Sequence, residues 1–130
     1  MRIVVLGGTG FIGRPLTKAL MEKGHEVVVP SRNPGRGEKV LGPGVDIPAW
    51  DGADPMALFA ILSGNGGNGK QRKRADGVVN LLGESIAAKR WSKAQKGRIL
   101  ESRVQAGQAL SHAMGEFPSD HLPGVLIQAS

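Results

Sequence analysis

Short runs of β-branched and apolar residues, each closed by glycine or proline, alternate along this chain with stretches in which apolar residues recur every three or four positions. The first run, Arg2-Ile3-Val4-Val5-Leu6, stops at glycines and reads as a strand buried on both faces of a parallel sheet. From Phe11 to Lys23, Ile12, Leu16, Ala19 and Leu20 recur at helical spacing. Pro15 falls in the first turn of that helix, where backbone N–H groups have no intrahelical acceptor, and Gly24 stops it. Glu26 to Pro30 carries Val27-Val28-Val29 as a second strand, followed by the polar turn Ser31-Arg32-Asn33-Pro34-Gly35. Together these make a βαβ unit of ordinary length.

Residues 35 to 44, rich in glycine, proline and charge, are expected to be loop. Val45 to Trp50 reads as a weak third strand, placed near an edge because Pro48 interrupts it. Asp54-Pro55 has the form of an N-cap followed by proline at the first helical position, opening a helix over Met56 to Leu62. A flexible insert is expected at 63 to 75. Val78-Val79-Asn80-Leu81-Leu82, bounded by Gly77 and Gly83, is a fourth and central strand. Ser92 to Met114 reads as a long helix with its apolar stripe at Leu100, Val104, Gly107, Leu110 and Met114, and Pro118 and Pro123 bracket the loop out of it. Gly124 to Ser130 is the fifth strand. Strands alternating with helices predict a Rossmann-type α/β fold, a doubly wound parallel sheet of five strands in the order 3-2-1-4-5.

The 130 residues and their 40% hydrophobic content suit one domain over 1–130. With no cysteine, disulfides, thiolate metal sites and thiol nucleophiles are excluded within this chain. His25, His112 and His121 are scattered, without spacing that would gather a metal. No apolar run approaches the ~20 residues that cross a bilayer. A strand beginning at residue 2 leaves no room for a signal peptide, so the expectation is a cytoplasmic protein, neither membrane-bound nor secreted. The net charge of +6 admits either a nucleic-acid partner or a polyanionic small molecule. The densest basic cluster, Lys70, Arg72, Lys73 and Arg74, follows a Gly/Asn tract and has no interleaved aromatic residue for base stacking, which disfavours nucleic acid.

Candidate chemistry gathers at the carboxyl ends of the strands. Gly7, Gly10 and Gly13 stand between a strand and an amphipathic helix. In the turn Gly7-Gly8-Thr9-Gly10-Phe11-Ile12-Gly13, missing side chains would let the backbone N–H groups and the helix N-terminus approach a pyrophosphate. At the end of the second strand an acidic residue would receive a ribose 2′-hydroxyl. This chain has Ser31 and Arg32 there instead, and a hydroxyl with a guanidinium suits a 2′-phosphate, so NADP(H) is preferred to NAD(H). Leu81, Leu82 and Gly83 end the central strand beside the crevice where ligands bind in such folds; Gly83 would let a cofactor pass close, and the two leucines also serve as core.

The opening through Gly13, the Gly24-His25-Glu26-Val27 approach to the second strand and Ser31-Arg32 resemble the extended and atypical short-chain dehydrogenases/reductases, grouped as NAD-dependent epimerase/dehydratase proteins. Val79-Asn80-Leu81-Leu82-Gly83-Glu84, Arg90-Trp91 and Lys96 through Ser102-Arg103 further resemble the subgroup termed epimerase family proteins. The resemblance covers nearly the whole chain apart from 63 to 75. It implies that Arg103 is a second cationic contact to the cofactor; a solvated helix arginine is the other reading. It also implies a hydroxyl residue after the fifth strand, near Ser130, and a Tyr-x-x-x-Lys pair acting in proton transfer on the following helix. This chain contains no tyrosine. The expectation is therefore a truncated, N-terminal portion of an oxidoreductase or epimerase that binds NADP(H) and is inactive alone, its small-molecule substrate unspecified. A non-catalytic dinucleotide-sensing module, in which the missing tyrosine is the native state, is the alternative.

Overall fold

The computed structural model describes residues 1–64, 73–82 and 93–128, and for 93–103 the backbone alone. Four parallel strands form one sheet in the order β2-β1-β3-β4: β1 (Arg2–Leu6), β2 (Glu26–Val28), β3 (Gly77–Asn80) and β4 (Val125–Gln128). Helices α1 (Gly13–Glu22), α2 (Pro34–Leu41), α3 (Pro55–Ser63) and α4 (Lys93–Gly115) complete it, with a 3₁₀ turn at Ser119–His121. None of the described helices is long and apolar enough to cross a membrane.

The strand period of two sorts β1 between two cores. Val4 and Leu6 join Val28 and Val78 in a cluster with Leu58 and Leu62 of α3 and Ala109, Leu110 and Ala113 of α4. Ile3 and Val5 join Val27, Val29 and Val79 on the opposite face, covered by Leu16 and Leu20 of α1 and Leu41 of α2. Helices on both faces make the sheet doubly wound, as expected.

Among the described residues there are four strands where five were expected. The segment 45–50 does run parallel beside β2, but only as isolated bridges, Val28 to Asp46 and Ser31 to Ala49. Its N–H groups at Asp46 and Trp50 donate to Val27 and Ser31, while the carbonyls of Asp46 and Pro48 accept from Val29 and Ser31. The rung that fails is the one Pro48 would donate, since proline has no N–H. The position of this segment, outside β2, is the one expected of the third strand. Arg2 fastens it there: its buried guanidinium lies 2.7 Å from Glu26 of β2 and 3.7 Å from Asp46.

Three further expectations change. Residues 35–44 are not loop, because α2 runs through most of them from an Asn33 N-cap whose side chain accepts from the Arg36 N–H at 3.1 Å. The buried face of α4 is Ala106, Ala109, Leu110 and Ala113, whereas Val104 is 46% exposed. Leu110 and Met114 of the expected stripe do reach the core, so the stripe is right in part: the alanines beside it complete the buried face, Val104 lies off it, and the side chain of Leu100 lies outside the described residues. The ends of the 63–75 insert are tied down: Ser63 closes α3, and buried Ala75 donates to the Leu62 carbonyl at 2.9 Å. The rest of that insert, 65–72, lies outside the described residues.

Candidate functional site

The chain leaves β1 through Gly7, whose φ of +82° is a left-handed conformation that glycine adopts without strain. Gly7 packs against the backbone just past β3: a Cβ there would stand 3.0 Å from the carbonyl of Leu81, whose own N–H donates to Leu6 at 2.8 Å. Gly8 faces Val29, where a Cβ would fall 2.7 Å from a methyl, and a Cβ on Gly13 would collide with Gly7 and Gly8. These three glycines are demanded by the protein's own packing. Gly10 is different. It is exposed, and a Cβ there would meet only the Gly7 carbonyl, at 3.3 Å.

Helix α1 then begins without a side-chain cap at Ile12. Gly10 donates to Gly7 and Arg14 to Gly10, but among the described residues no backbone or side-chain group accepts from the N–H groups of Phe11, Ile12 or Gly13. The side chains of Phe11 and Ile12 point outward, 85% and 62% exposed. Three unsatisfied donors at the positive end of a helix favour an anion.

Beside this turn lies a cavity of about 370 Å³. Thr9 and Arg14 line it from the turn, Ser31 and Arg32 from the segment between β2 and α2, Arg36 from the start of α2, and Trp50 and Leu82 close it. Three guanidinium groups and, among the described residues, no carboxylate line this cavity. Ser31 accepts the Asn33 N–H at 3.1 Å through its hydroxyl oxygen, which leaves its O–H proton free to donate. Trp50 is buried and donates to the Asp54 carbonyl at 2.8 Å, fixing the wall. Asp51, at the adjoining opening shared with Arg32, has its carboxyl held below the ordinary range by N–H donation from Ala53 and then Asp54. A larger groove, about 580 Å³, lies between α1 and α2; it runs away from the carboxyl ends of the strands and mixes Arg14 and Lys18 with Glu22.

Gly7, Gly10, Phe11, Ile12 and Gly13 thus gather at one turn, and Ser31, Arg32 and Leu82 at the adjoining cavity. Leu81 instead packs with the α1-side core, offering the turn only its backbone. The Asn80 side chain accepts from the Leu82 N–H at 3.1 Å and bends the chain after β3. Gly83, Ser130 and the side chain of Arg103 lie outside the described residues. Sequence reasoning missed Arg14 and Arg36. Arg14 directly follows the last glycine of the turn, and Arg36 stands three residues after Asn33, a position that becomes informative once Asn33-Pro34 is read as a helix start.

A family model described as NAD dependent epimerase/dehydratase family matches residues 3–130. Epimerase family protein SDR39U1 of Bos taurus is 35% identical over 129 residues, which are 98% of this chain and 36% of that protein. Epimerase family protein YfhF of Bacillus subtilis is 32% identical, covering 100% of this chain and 37% of its own length. The chain therefore spans little more than a third of these relatives. Among solved structures, human SDR39U1 (isoform 2) with NADPH superposes with a TM-score of 0.65 at 32% identity, covering 98% of this chain and 36% of that one. UDP-glucose 4-epimerase from Bifidobacterium longum, in complex with NAD+ and UDP, gives 0.72 at 19% identity over 100% of this chain and 37% of that one, a likeness of fold.

Proposed function

The chain belongs to the NAD dependent epimerase/dehydratase family, and from that premise we propose that it is the NADP(H)-binding portion of an epimerase- or dehydratase-like oxidoreductase. The observation that carries the reading is the cavity beside the glycine turn, lined by Arg14, Arg32 and Arg36 and, among the described residues, by no carboxylate. A 2′-phosphate is a compact dianion, and planar guanidinium forks pair with its oxygens where an acidic residue would repel them. The NADPH bound in the human relative is consistent with this.

In this reading the free N–H groups of Phe11, Ile12 and Gly13 hold the pyrophosphate, and exposed Gly10 stays bare so that it can approach. Ser31 donates, and Arg32 pairs, at the 2′-phosphate. Leu81, Leu82 and Gly83 border the nucleotide, and Arg103 adds a second cationic contact. The bound dinucleotide supplies hydride transfer. Ser130 stands, in sequence, near where the family carries its serine or threonine. No tyrosine exists in these residues to move a proton. The 130-residue chain is accordingly expected to bind NADPH without oxidising it in the presence of carbonyl substrates. Steady NADPH turnover by this chain would show that another residue transfers the proton.

Titrating NADPH and NADH into wild type and Arg32→Ala tests the cofactor assignment. Loss of a charge-assisted contact should weaken NADPH by roughly 10- to 100-fold and leave NADH nearly unchanged. Equal affinities in wild type would sink it.

A further inference from the structure

Helix α2 is an unpromising helix on propensity, since two of its eight residues, Gly35 and Gly37, are glycine. The two differ in what surrounds them. A Cβ on Gly35 would meet nothing nearer than Asn33 Oδ1 at 3.7 Å, so a side chain there has room. Gly37 is buried, and a Cβ on it would stand 3.2 and 3.4 Å from two carbons of Ile47 and 3.7 Å from the Thr9 methyl. The absent side chain lets α2 settle between the segment beside β2 and the glycine turn.

What this close seat fixes is the neighbour of Gly37. Arg36 lines the cavity with Arg32 and Arg14, and Gly37 and Thr9 line it too. Its backbone is locked locally, with the Arg36 N–H on Asn33 Oδ1 at 3.1 Å, the Gly37 N–H on the Asn33 carbonyl at 3.0 Å, and the Asn33 N–H on the Ser31 hydroxyl at 3.1 Å. The first turn of α2 is therefore tied by these hydrogen bonds to the Ser31-Arg32 segment that follows β2, and it packs toward Thr9 at Gly37.

We infer that Gly37 is a positioning residue for cofactor specificity: its missing Cβ seats α2 so that Arg36 joins Arg32 and Arg14 around a single phosphate, which makes Arg36 a specificity-determining residue. The inference rests on the NADP(H) reading above. An added methyl at 3.2 Å from Ile47 falls inside the ~3.5–4.0 Å of ordinary carbon contacts, so the contact must open by a few tenths of an ångström, and the inference is that α2 rather than the Ile47 side chain gives way. Hydrogen bonds to a phosphate weaken over that distance, while the pyrophosphate seat on α1 is untouched.

The experiment measures NADPH and NADH dissociation constants for the full 130-residue chain and three variants. Gly37→Ala should lower the NADPH preference by about fivefold or more, with NADH affinity little altered. Gly37→Ala combined with Ile47→Ala, which removes both crowding carbons, should restore it. Arg36→Ala, an exposed change that leaves the packing alone, should lose the preference to the same extent. An unchanged preference in Arg36→Ala overturns the inference, whether or not Gly37→Ala folds. Equal loss of both dinucleotides in Gly37→Ala also overturns it, because that is damage to the fold. If wild type prefers NADPH and Arg32→Ala abolishes the preference while the Arg36 and Gly37 variants keep it, the NADP(H) reading stands and this inference alone falls. No preference in wild type removes both.

Discussion

Strands β1 and β4 flank the same central strand, β3, and carry similarly apolar sequences, RIVVL and VLIQ, yet every residue of β1 is buried and every residue of β4 is exposed. The difference lies in their neighbours. β1 has a hydrogen-bonded strand at each edge and helices on both faces, so its alternate side chains enter two separate cores. Among the described residues β4 has β3 alone at one edge, and Val125, Leu126 and Ile127 stay 48%, 48% and 55% exposed. Strand composition thus states a capacity for burial, and the surrounding layers decide whether it is used. The candidate site sits on the finished side: a glycine turn whose close approaches are set to within a methyl group needs the rigid backing that β1, β2 and α1 provide.

Truncation of one side chain in each strand tests that contrast most directly. Leu6 is fully buried in the α3/α4-side core, and Leu6→Ala should cost roughly 2–5 kcal/mol in denaturant unfolding, the lost transfer energy plus a cavity. Ile127→Ala should change stability by no more than about 0.5 kcal/mol, the range of surface substitutions. A loss of several kcal/mol at Ile127 would mean that something covers β4 in solution, and the contrast between the two strands would collapse.

The sequence made the local parts of this picture legible. Strand β1, helix α1 and the turn between them follow from short-range pattern, and so does the Asp54-Pro55 start of α3, whose carboxylate accepts the N–H groups of Met56 and Ala57. Asn33-Pro34 is the same signal, and it went unread because glycine, proline and charge dominate 35–44. That helix is held by its seat against Ile47 and Thr9, a contact between residues distant in the chain. Alanine carries little weight in a hydrophobic pattern, so the buried face of α4 was legible at Leu110 and Met114 but not at Ala106, Ala109 and Ala113. Pro48 announced an interrupted edge strand, but not that one lost rung would reduce it to bridges. At the site, Ser31 and Arg32 could be found because they follow a strand closely. Arg14 and Arg36 acquire meaning only when α1 and α2 are brought to one cavity.

The smallest effect concerns the residue that joins the two strands. Asp76 precedes β3; its backbone N–H donates to the Arg2 carbonyl of β1 at 2.7 Å, and its own carbonyl accepts from Gly124, just before β4, at 2.9 Å. Its carboxylate accepts the Arg2 N–H at 2.8 Å. That hydrogen bond, more than the nearby charges of Lys73, the amino terminus and Arg74, holds the carboxyl below the ordinary aspartate range. A carboxylate whose pKa is lower folded than unfolded binds fewer protons in the native state. Its contribution is therefore complete above the ordinary aspartate range and is lost as pH falls through the lowered folded value. Asp76→Asn removes the titrating group and keeps an oxygen to accept from Arg2, so the variant should be slightly less stable than wild type at neutral pH, with the difference shrinking toward acid. Unfolding midpoints measured across that range decide the matter. If the difference is constant with pH, the carboxylate contributes nothing through its charge, and the junction between the buried and the exposed strand is held by the backbone bonds of Asp76 alone.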